Sequence, residues 1–431
     1  MTREPGTLDP VTLDPVTLDP AKGKIAFVPA RYGPGVIGGA EIVMSHLATG
    51  FRDRGWDVEV LTTTAVDHFK WDNVLPAGRT ETDGLVVHRF PAVTSTAGAE
   101  RARLEGEIHA GRPLSAQEQQ HWMNDGMRVP ELYQYLLQNA GSFRAVVLGP
   151  YMFWPAFALS QVAPERSILL TCLHDEPYAY LNLFQPVFSG VAGLLFMSPP
   201  EHDLAHRIVP RLAPHALTGC GVEVPDSYDP EGFRERYGIT GPFLLYAGRR
   251  EGAKGWERLL DGFARATVNR DLPFSLVTMG SGEVNPPESV KDRVIDLGFL
   301  PEHERDNAFA AATAYLQPSA YEAFSRTIME AWLAGTPVIA NAASAVVAYH
   351  CETSGAGLLY DDDLELEEAL AFIAEAPEAA AAMAASGREY VLSNYQWPDV
   401  LDKMESAVMS MTTLPSQGRA TVLAAVTGPD A

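Results

Sequence analysis

KIAFVPARYGPGVIGGAEIVMSHLATGFRDRGWDVEVL, Lys24 to Leu61, decides the fold. It opens on a short apolar run, Lys24 to Pro29, bounded by turn residues. Ala40 to Arg54 then carries apolar residues at helical spacing through Ile42, Val43, Leu47 and Phe51, and Val58 to Leu61 is a second strand. Strand, loop, helix and strand in that order make a parallel sheet, because parallel neighbours need a crossover that returns the chain to the same end. Further strands are expected at Leu85 to Phe90, Ala145 to Leu148, Ser167 to Leu173 and Gly193 to Met197. The polar, charged stretch Ala97 to Arg128 between them is expected to shape an entrance rather than a core. A Pro/Asp/Ser-rich link, Pro225 to Pro230, precedes a second series of strands at Phe243 to Ala247, Phe274 to Met279, Val294 to Phe299, Ala314 to Gln317 and Val338 to Ala340, with helices such as Trp256 to Ala266 between several of them. The economical reading is an α/β protein of two doubly wound parallel-sheet, Rossmann-like domains, residues 23–225 and 226–411, facing across a cleft. The last helix is able to pack back on the first domain. In open α/β sheets ligands bind outside the carboxyl ends of the strands, so the cleft is the expected site.

Composition bounds the partners. At 431 residues the chain exceeds one hydrophobic core, and 46% hydrophobic with 20% charged residues is ordinary for a globular protein. A formal charge of -23, from 32 Lys+Arg against 55 Asp+Glu, argues against nucleic acid, whose affinity comes mainly from cationic contacts to phosphate. Any anion must meet a local basic cluster. Cys172, Cys220 and Cys351 lie far apart without metal-ligand spacing and read as small buried hydrophobes in a reducing cytoplasm. No run reaches the length of a membrane span and the N-terminus lacks the apolar core of a signal peptide, so a cytoplasmic protein is expected. Thr7 to Pro20 reads TLDPVTLDPVTLDP, three copies of a unit that cannot build a core. Residues 1–22 are accordingly expected to be a disordered tail and 412–431 a flexible one.

YEAFSRTIMEAWLAGTPVIA, Tyr321 to Ala340, places Glu322 and Glu330 on either side of a helix start. Ser325 reads as its N-cap, and Ile328, Met329, Trp332 and Leu333 make it apolar on more than one face. A carboxylate on so buried a helix needs hydrogen-bond donors, and sugar or ribose hydroxyls are such donors. The helix N-terminus near Ser325 and Arg326 offers free N–H groups that attract phosphate. An ordinary helix with one carboxylate in its first turn and one on a solvent strip fits the same residues.

LLYAGRREGAKG, Leu244 to Gly255, sets Arg249, Arg250 and Lys254 on a strand-to-helix loop, against the acidic background. A guanidinium fork and an ammonium point charge there can grip a diphosphate, although solvated loop cations read the same way. His174 follows a strand end, where an imidazole can serve a reacting sugar or be merely solvated. Gly33-Pro34-Gly35-Val36-Ile37-Gly38 is a literal G-x-G-x-x-G after a strand. It is discounted as a dinucleotide signature because Pro34 disturbs the turn and the next strand ends in Thr62-Thr63-Thr64 without a ribose-binding acid. A glycine loop, Gly33 to Gly39, that lets backbone approach a phosphate or sugar is the better reading. Gly280-Ser281-Gly282 and Gly298-Phe299-Leu300-Pro301 each close a strand, and turn chemistry alone would explain either.

The order Gly38-Gly39, His174-Asp175, Gly248-Arg249 with Lys254-Gly255, Gly280-Ser281-Gly282, Gly298, and Glu322 with Glu330 resembles the retaining glycosyltransferases of family 4, which have the GT-B fold. The resemblance spans about residue 24 to residue 410 and is sharper in the second half. It implies that Arg249 and Lys254 neutralise the diphosphate of a nucleotide sugar, that Glu330 binds ribose, and that Glu322 meets hydroxyls of the transferred sugar. It further implies that His174 lies beside that sugar, with Gly38 and Gly39 near its phosphate. Gly280, Phe324, Ser325 and Arg326 join the donor contacts, and the backbone of Phe299 and Leu300 meets the base. Where the family has glycine beside the phenylalanine of its E-x-F, this chain has Ser325 followed by Arg326, so donor class transfers more securely than donor identity. The implied function is metal-independent and cofactor-free transfer from a UDP-, GDP-, ADP- or dTDP-sugar to a hydroxyl of a soluble small-molecule or saccharide acceptor, without stable membrane association. A non-catalytic nucleotide-sugar-binding protein and an NAD-dependent oxidoreductase resting on Gly33 to Gly38 are the rivals.

Overall fold

The computed structural model describes residues 17–36, 38–95 and 98–414. The first sheet holds β1 (Lys24–Pro29), β2 (Asp57–Thr63), β3 (Gly78–Thr82), β4 (Leu85–Phe90), β5 (Ala145–Gly149), β6 (Ser167–Leu170), β7 (Gly193–Phe196) and β8 (His215–Leu217), in the order β3-β4-β2-β1-β5-β6-β7-β8. The second holds β9 (Phe243–Ala247), β10 (Ser275–Met279), β11 (Val294–Asp296), β12 (Ala314–Gln317), β13 (Val338–Asn341) and β14 (Gly357–Tyr360), ordered β11-β10-β9-β12-β13-β14. Every pairing is parallel except the β3-β4 hairpin. The central strands β1, β5, β9 and β12 are buried almost throughout, as parallel strands covered by helices on both faces must be.

Both sheets reverse their winding once, between β1 and β5 and between β9 and β12. At such a reversal the loops leaving two adjacent strands turn to opposite faces, and a crevice opens between them. The Gly33–Gly39 loop leaves β1, the Arg249–Lys254 loop leaves β9, and the Glu322 loop leaves β12. The topology thus brings the sequence motifs to the two crevices.

Three features depart from the sequence reading. The charged stretch expected to shape an entrance forms helices Gly98–His109 and Ala116–Asn124, whose Leu104, Ile108, Trp122 and Met123 are buried in the first domain's core. The i,i+4 pair Leu104 and Ile108 is a narrow apolar stripe on a helix that otherwise carries exposed ion pairs such as Arg103–Glu100, and it is lost in the average composition. Residues 17–22 and 412–414, assigned to tails, are held. Arg144 donates to the carbonyls of Ala21 (3.0 Å) and Met409 (3.2 Å) and to Thr412 Oγ1 (3.3 Å), while Lys22 pairs with Glu405 at 2.6 Å. The remainder of both expected tails, 1–16 and 415–431, lies outside the described residues. Finally, β3, β8 and β14 add to the strands that the sequence predicts, because short or polar edge strands carry little apolar signal.

Helix Trp397–Met411 lies against the first domain: Trp56 Nε1 donates to Glu405 (2.8 Å), Arg54 pairs with Asp402, and Leu401 fills the space at Gly50. The amide of Val222 donates to the Tyr395 carbonyl at 2.8 Å, so the two strands of chain that link the domains run side by side. All three cysteines are buried and unpaired. No single helix among the described residues is long and apolar enough to cross a membrane.

Candidate functional site

The domains meet across the carboxyl ends of their sheets. Ser198 Oγ donates to the Ala323 carbonyl (2.9 Å), and Arg249 Nη1 lies 2.5 Å from His68 Nε2 on the loop after β2. The β9 loop that carries Arg249 is braced from within, because Tyr246 donates its hydroxyl to the Arg249 carbonyl at 2.6 Å. Its two half-buried cations find separate partners. Arg249 pairs with Glu251 (3.2 Å) as well as touching His68, and Lys254 Nζ lies 2.8 Å from Glu322 Oε1. Arg250, the third cation of the cluster, is instead consumed by the fold: it is buried and donates to the Gly282 carbonyl (3.0 Å) and Thr278 Oγ1 (3.2 Å).

Glu322 and His174 come together electrostatically. Burial acts to raise the Glu322 carboxyl, but Lys254, His174 and a hydrogen bond from Ser319 outweigh it and hold Glu322 below the usual carboxylate range. His174 is oriented in turn. Its Nδ1 lies 3.3 Å from Glu176 Oε1, which also accepts from the fully buried Tyr151 hydroxyl at 3.0 Å. That carboxylate at Nδ1 fixes the orientation of the ring in the cleft.

Around these groups the backbone comes close. Gly280 adopts φ 133°, and a Cβ there would lie 2.0 Å from the Gly248 carbonyl oxygen, so Gly280 serves the approach of the β10 loop to the β9 loop. Gly38 lies against the buried Arg31–Glu41 pair (2.6 Å), with no room for a side chain unless that pair opens. Gly39, by contrast, is exposed and a Cβ would meet nothing within 4 Å. Phe299 is 66% exposed while Leu300 is buried.

Helix Arg326–Leu333 corrects two expectations. Ser325 does not cap it: Ser325 sits in the left-handed region (φ 64°, ψ 71°), and its Oγ accepts from Gln317 Nε2 at 2.6 Å. A left-handed conformation is easy for glycine and costly for serine, and the Gln317 bond helps hold it. The first-turn amides therefore have no side-chain cap. Phe324, expected among the donor contacts, puts its ring into the core, edge-on to His350 (5.2 Å) and Tyr395 (4.9 Å). Glu330 is 11% exposed and lies between two guanidiniums, Arg305 (3.4 Å) and Arg326 (3.5 Å), on the wall of a cavity of about 470 Å³ that reaches Glu223 and Trp397. Arg305 Nε and Arg326 Nη1 are buried there without a hydrogen-bond partner. Burial pushes Asp306, beside them, up to about 6. His68 and Arg305 escaped the sequence reading, since neither stands in a motif.

Half-buried and buried imidazoles give the fold an acid limit. Burial, then the charge of Arg249, lowers His68 to about 4. Burial and Arg326 do the same to His46, which stacks on Trp397, and burial alone takes His350 to about 3. Each folded value lies below the unfolded value of about 6.5, so below that pH the unfolded chain binds more protons and stability falls as pH drops. The melting temperature is expected to decline from pH 6.5 towards pH 4, and His68→Gln to flatten the slope. A profile level across that window would contradict these assignments.

Two parallel α/β sheets facing across a cleft, with these loops at their reversal points, define the GT-B class. Residues 231–390, within the second half of the chain, match the family model Glycosyl transferases group 1. The 2-deoxystreptamine glucosyltransferase of Streptomyces kanamyceticus is 31% identical over 151 residues, 31% of this chain and 38% of that protein. D-inositol 3-phosphate glycosyltransferase 1 of Catenulispora acidiphila is 25% identical over 409 residues, 87% of this chain and 91% of that protein. The matches to the first three curated relatives cover 38%, 31% and 45% of their lengths, less than half in each case. Among solved structures, sucrose-phosphate synthase from Thermosynechococcus elongatus superposes with a TM-score of 0.69 at 18% identity, over 89% of this chain and 98% of that one. Anabaena HepE in complex with UDP-glucose gives 0.63 at 18%, over 90% and 100%. At these identities the likeness is one of fold.

Proposed function

We propose that the protein is a retaining glycosyltransferase that moves a sugar from a nucleoside diphosphate sugar to a hydroxyl of a soluble small-molecule or saccharide acceptor. The observation that carries this reading is the Lys254–Glu322 pair at 2.8 Å, beside Arg249 and within the field of His174, at the reversal point of the second sheet. A cation and a carboxylate held together in this way match the two halves of such a donor. Lys254 and Arg249 take the diphosphate, Glu322 accepts from sugar hydroxyls, and Glu330 accepts from the ribose. An arriving diphosphate replaces His68 on Arg249.

In the reaction the bond from the anomeric carbon to the phosphate oxygen breaks, with its electron pair leaving on the diphosphate. Arg249, Lys254 and the uncapped amides of helix Arg326–Leu333 receive that charge. The acceptor oxygen bonds to the same face of the anomeric carbon, and its proton passes to the departing phosphate oxygen. No side-chain nucleophile and no metal enters these steps. UDP-glucose is the first donor to try, because the HepE complex holds it and the kanamyceticus relative is a glucosyltransferase. The acidic surface disfavours anionic lipid and nucleic acid, in keeping with a soluble acceptor and a cytoplasmic location.

Thermal unfolding with UDP, GDP, ADP, dTDP and NAD(H) tests the reading. One nucleoside diphosphate should raise the melting temperature while NAD(H) leaves it unchanged. Stabilisation by NAD(H) alone would instead favour an oxidoreductase.

A further inference from the structure

Away from the cleft, His202 and His206 stand one turn apart on helix Pro199–Ile208, and His215 opens the edge strand β8. One ring nitrogen from each lies within 4.8 Å of the other two, and His202 Nε2 is 3.1 Å from His206 Nε2. Nitrogens bound at about 2.0–2.1 Å around a tetrahedral zinc ion stand about 3.4 Å apart, so a small rotation of the rings brings the triad to that spacing. The rings are already oriented for it. His215 Nδ1 lies 3.0 Å from the Ala213 carbonyl and His202 Nδ1 lies 3.3 Å from Asp203 Oδ1. Each Nδ1 therefore carries its proton towards an acceptor and each Nε2 keeps a lone pair, the arrangement by which carboxylates and backbone carbonyls fix ligating histidines. With no ion present, His206 Nε2 donates its proton to His202 Nε2. A cation would take the place of that proton. Aromatic packing alone accounts for less, because His206 and His215 are exposed and gain little by clustering.

We propose that His202, His206 and His215 bind one first-row transition-metal dication of the zinc class, with water in the remaining position. An all-imidazole set favours such ions over magnesium or calcium. The ion would tie helix Pro199–Ile208 to β8, the edge of the first sheet, and it lies outside the proposed donor chemistry.

Full-length protein stripped with a chelator and dialysed against zinc chloride, with magnesium chloride as control, tests this. One zinc and no magnesium should remain per chain with micromolar or tighter affinity, and zinc should raise the melting temperature. His206→Ala and His215→Ala, both at exposed positions, should each weaken zinc at least ~10- to 100-fold, the loss typical of disturbing even a ligand's supporting partner. They should also abolish the thermal shift while leaving nucleotide binding unchanged. Zinc retained equally by both variants, or bound only at millimolar concentration, would overturn the assignment.

Discussion

Lys254→Ala is expected to lower sugar transfer by on the order of 10²–10³-fold, the typical loss when one preorganised donor to a developing anion is removed. Two effects add. The diphosphate loses a point charge at the moment the bond to the sugar breaks, and Glu322 loses the ammonium 2.8 Å away that keeps its carboxylate ionised against burial. Binding of the free nucleoside diphosphate should weaken as well, because Lys254 meets the diphosphate before and after transfer. Steady-state kinetics with circular dichroism as a folding control would read both. Transfer within threefold of the unsubstituted protein would remove Lys254 from the site.

The two glutamates are expected to fail differently. Glu330→Gln should weaken the free nucleoside diphosphate and the nucleotide sugar alike, since the ribose is common to both. Glu322→Gln should leave the free nucleotide bound as well or better, because Lys254 is then released to the diphosphate, while transfer falls. A hydrogen bond to a charged group contributes about 1.5–3 kcal/mol, so each loss should be roughly ten- to a few hundredfold in the step affected. Glu330 carries a second consequence. Its carboxylate balances Arg305 and Arg326, at 3.4 and 3.5 Å, and the amide would leave two guanidiniums facing one another across the cavity. Part of that strain would appear as lowered stability, which unfolding measurements separate from nucleotide affinity. Titration calorimetry decides the assignment: equal weakening of the free nucleotide by both variants, or greater weakening by Glu322→Gln, would reverse the roles.

How far the sequence was legible follows from what each signal measures. The parallel sheets could be read because buried strands and their crossover helices carry opposite periodicities, as in Lys24 to Leu61. The reversal points, which bring the Arg249 and Glu322 loops together, depend on strand order and leave no local trace. Lys254 and Glu322 could each be picked out by residue type and place in a motif, but their ion pair spans 68 positions. His68 reaches Arg249 from 181 positions away on a loop with no distinguishing pattern. Ser325 misled because a serine before a helix ordinarily caps it, whereas here a left-handed backbone turns the hydroxyl towards Gln317. The i,i+4 spacing of His202 and His206 was visible in the sequence, but its partner His215 comes from the next strand and only the fold joins them.

Release of nucleoside diphosphate from a panel of nucleotide sugars, led by UDP-glucose, measured with chelator present for the unsubstituted protein and for Lys254→Ala, tests the central claim most directly. Slow hydrolysis of one donor by the unsubstituted protein, undiminished by the chelator and reduced at least a hundredfold in the variant, is the predicted result. Turnover that the chelator abolishes and magnesium or manganese restores, or that Lys254→Ala leaves intact, would contradict it.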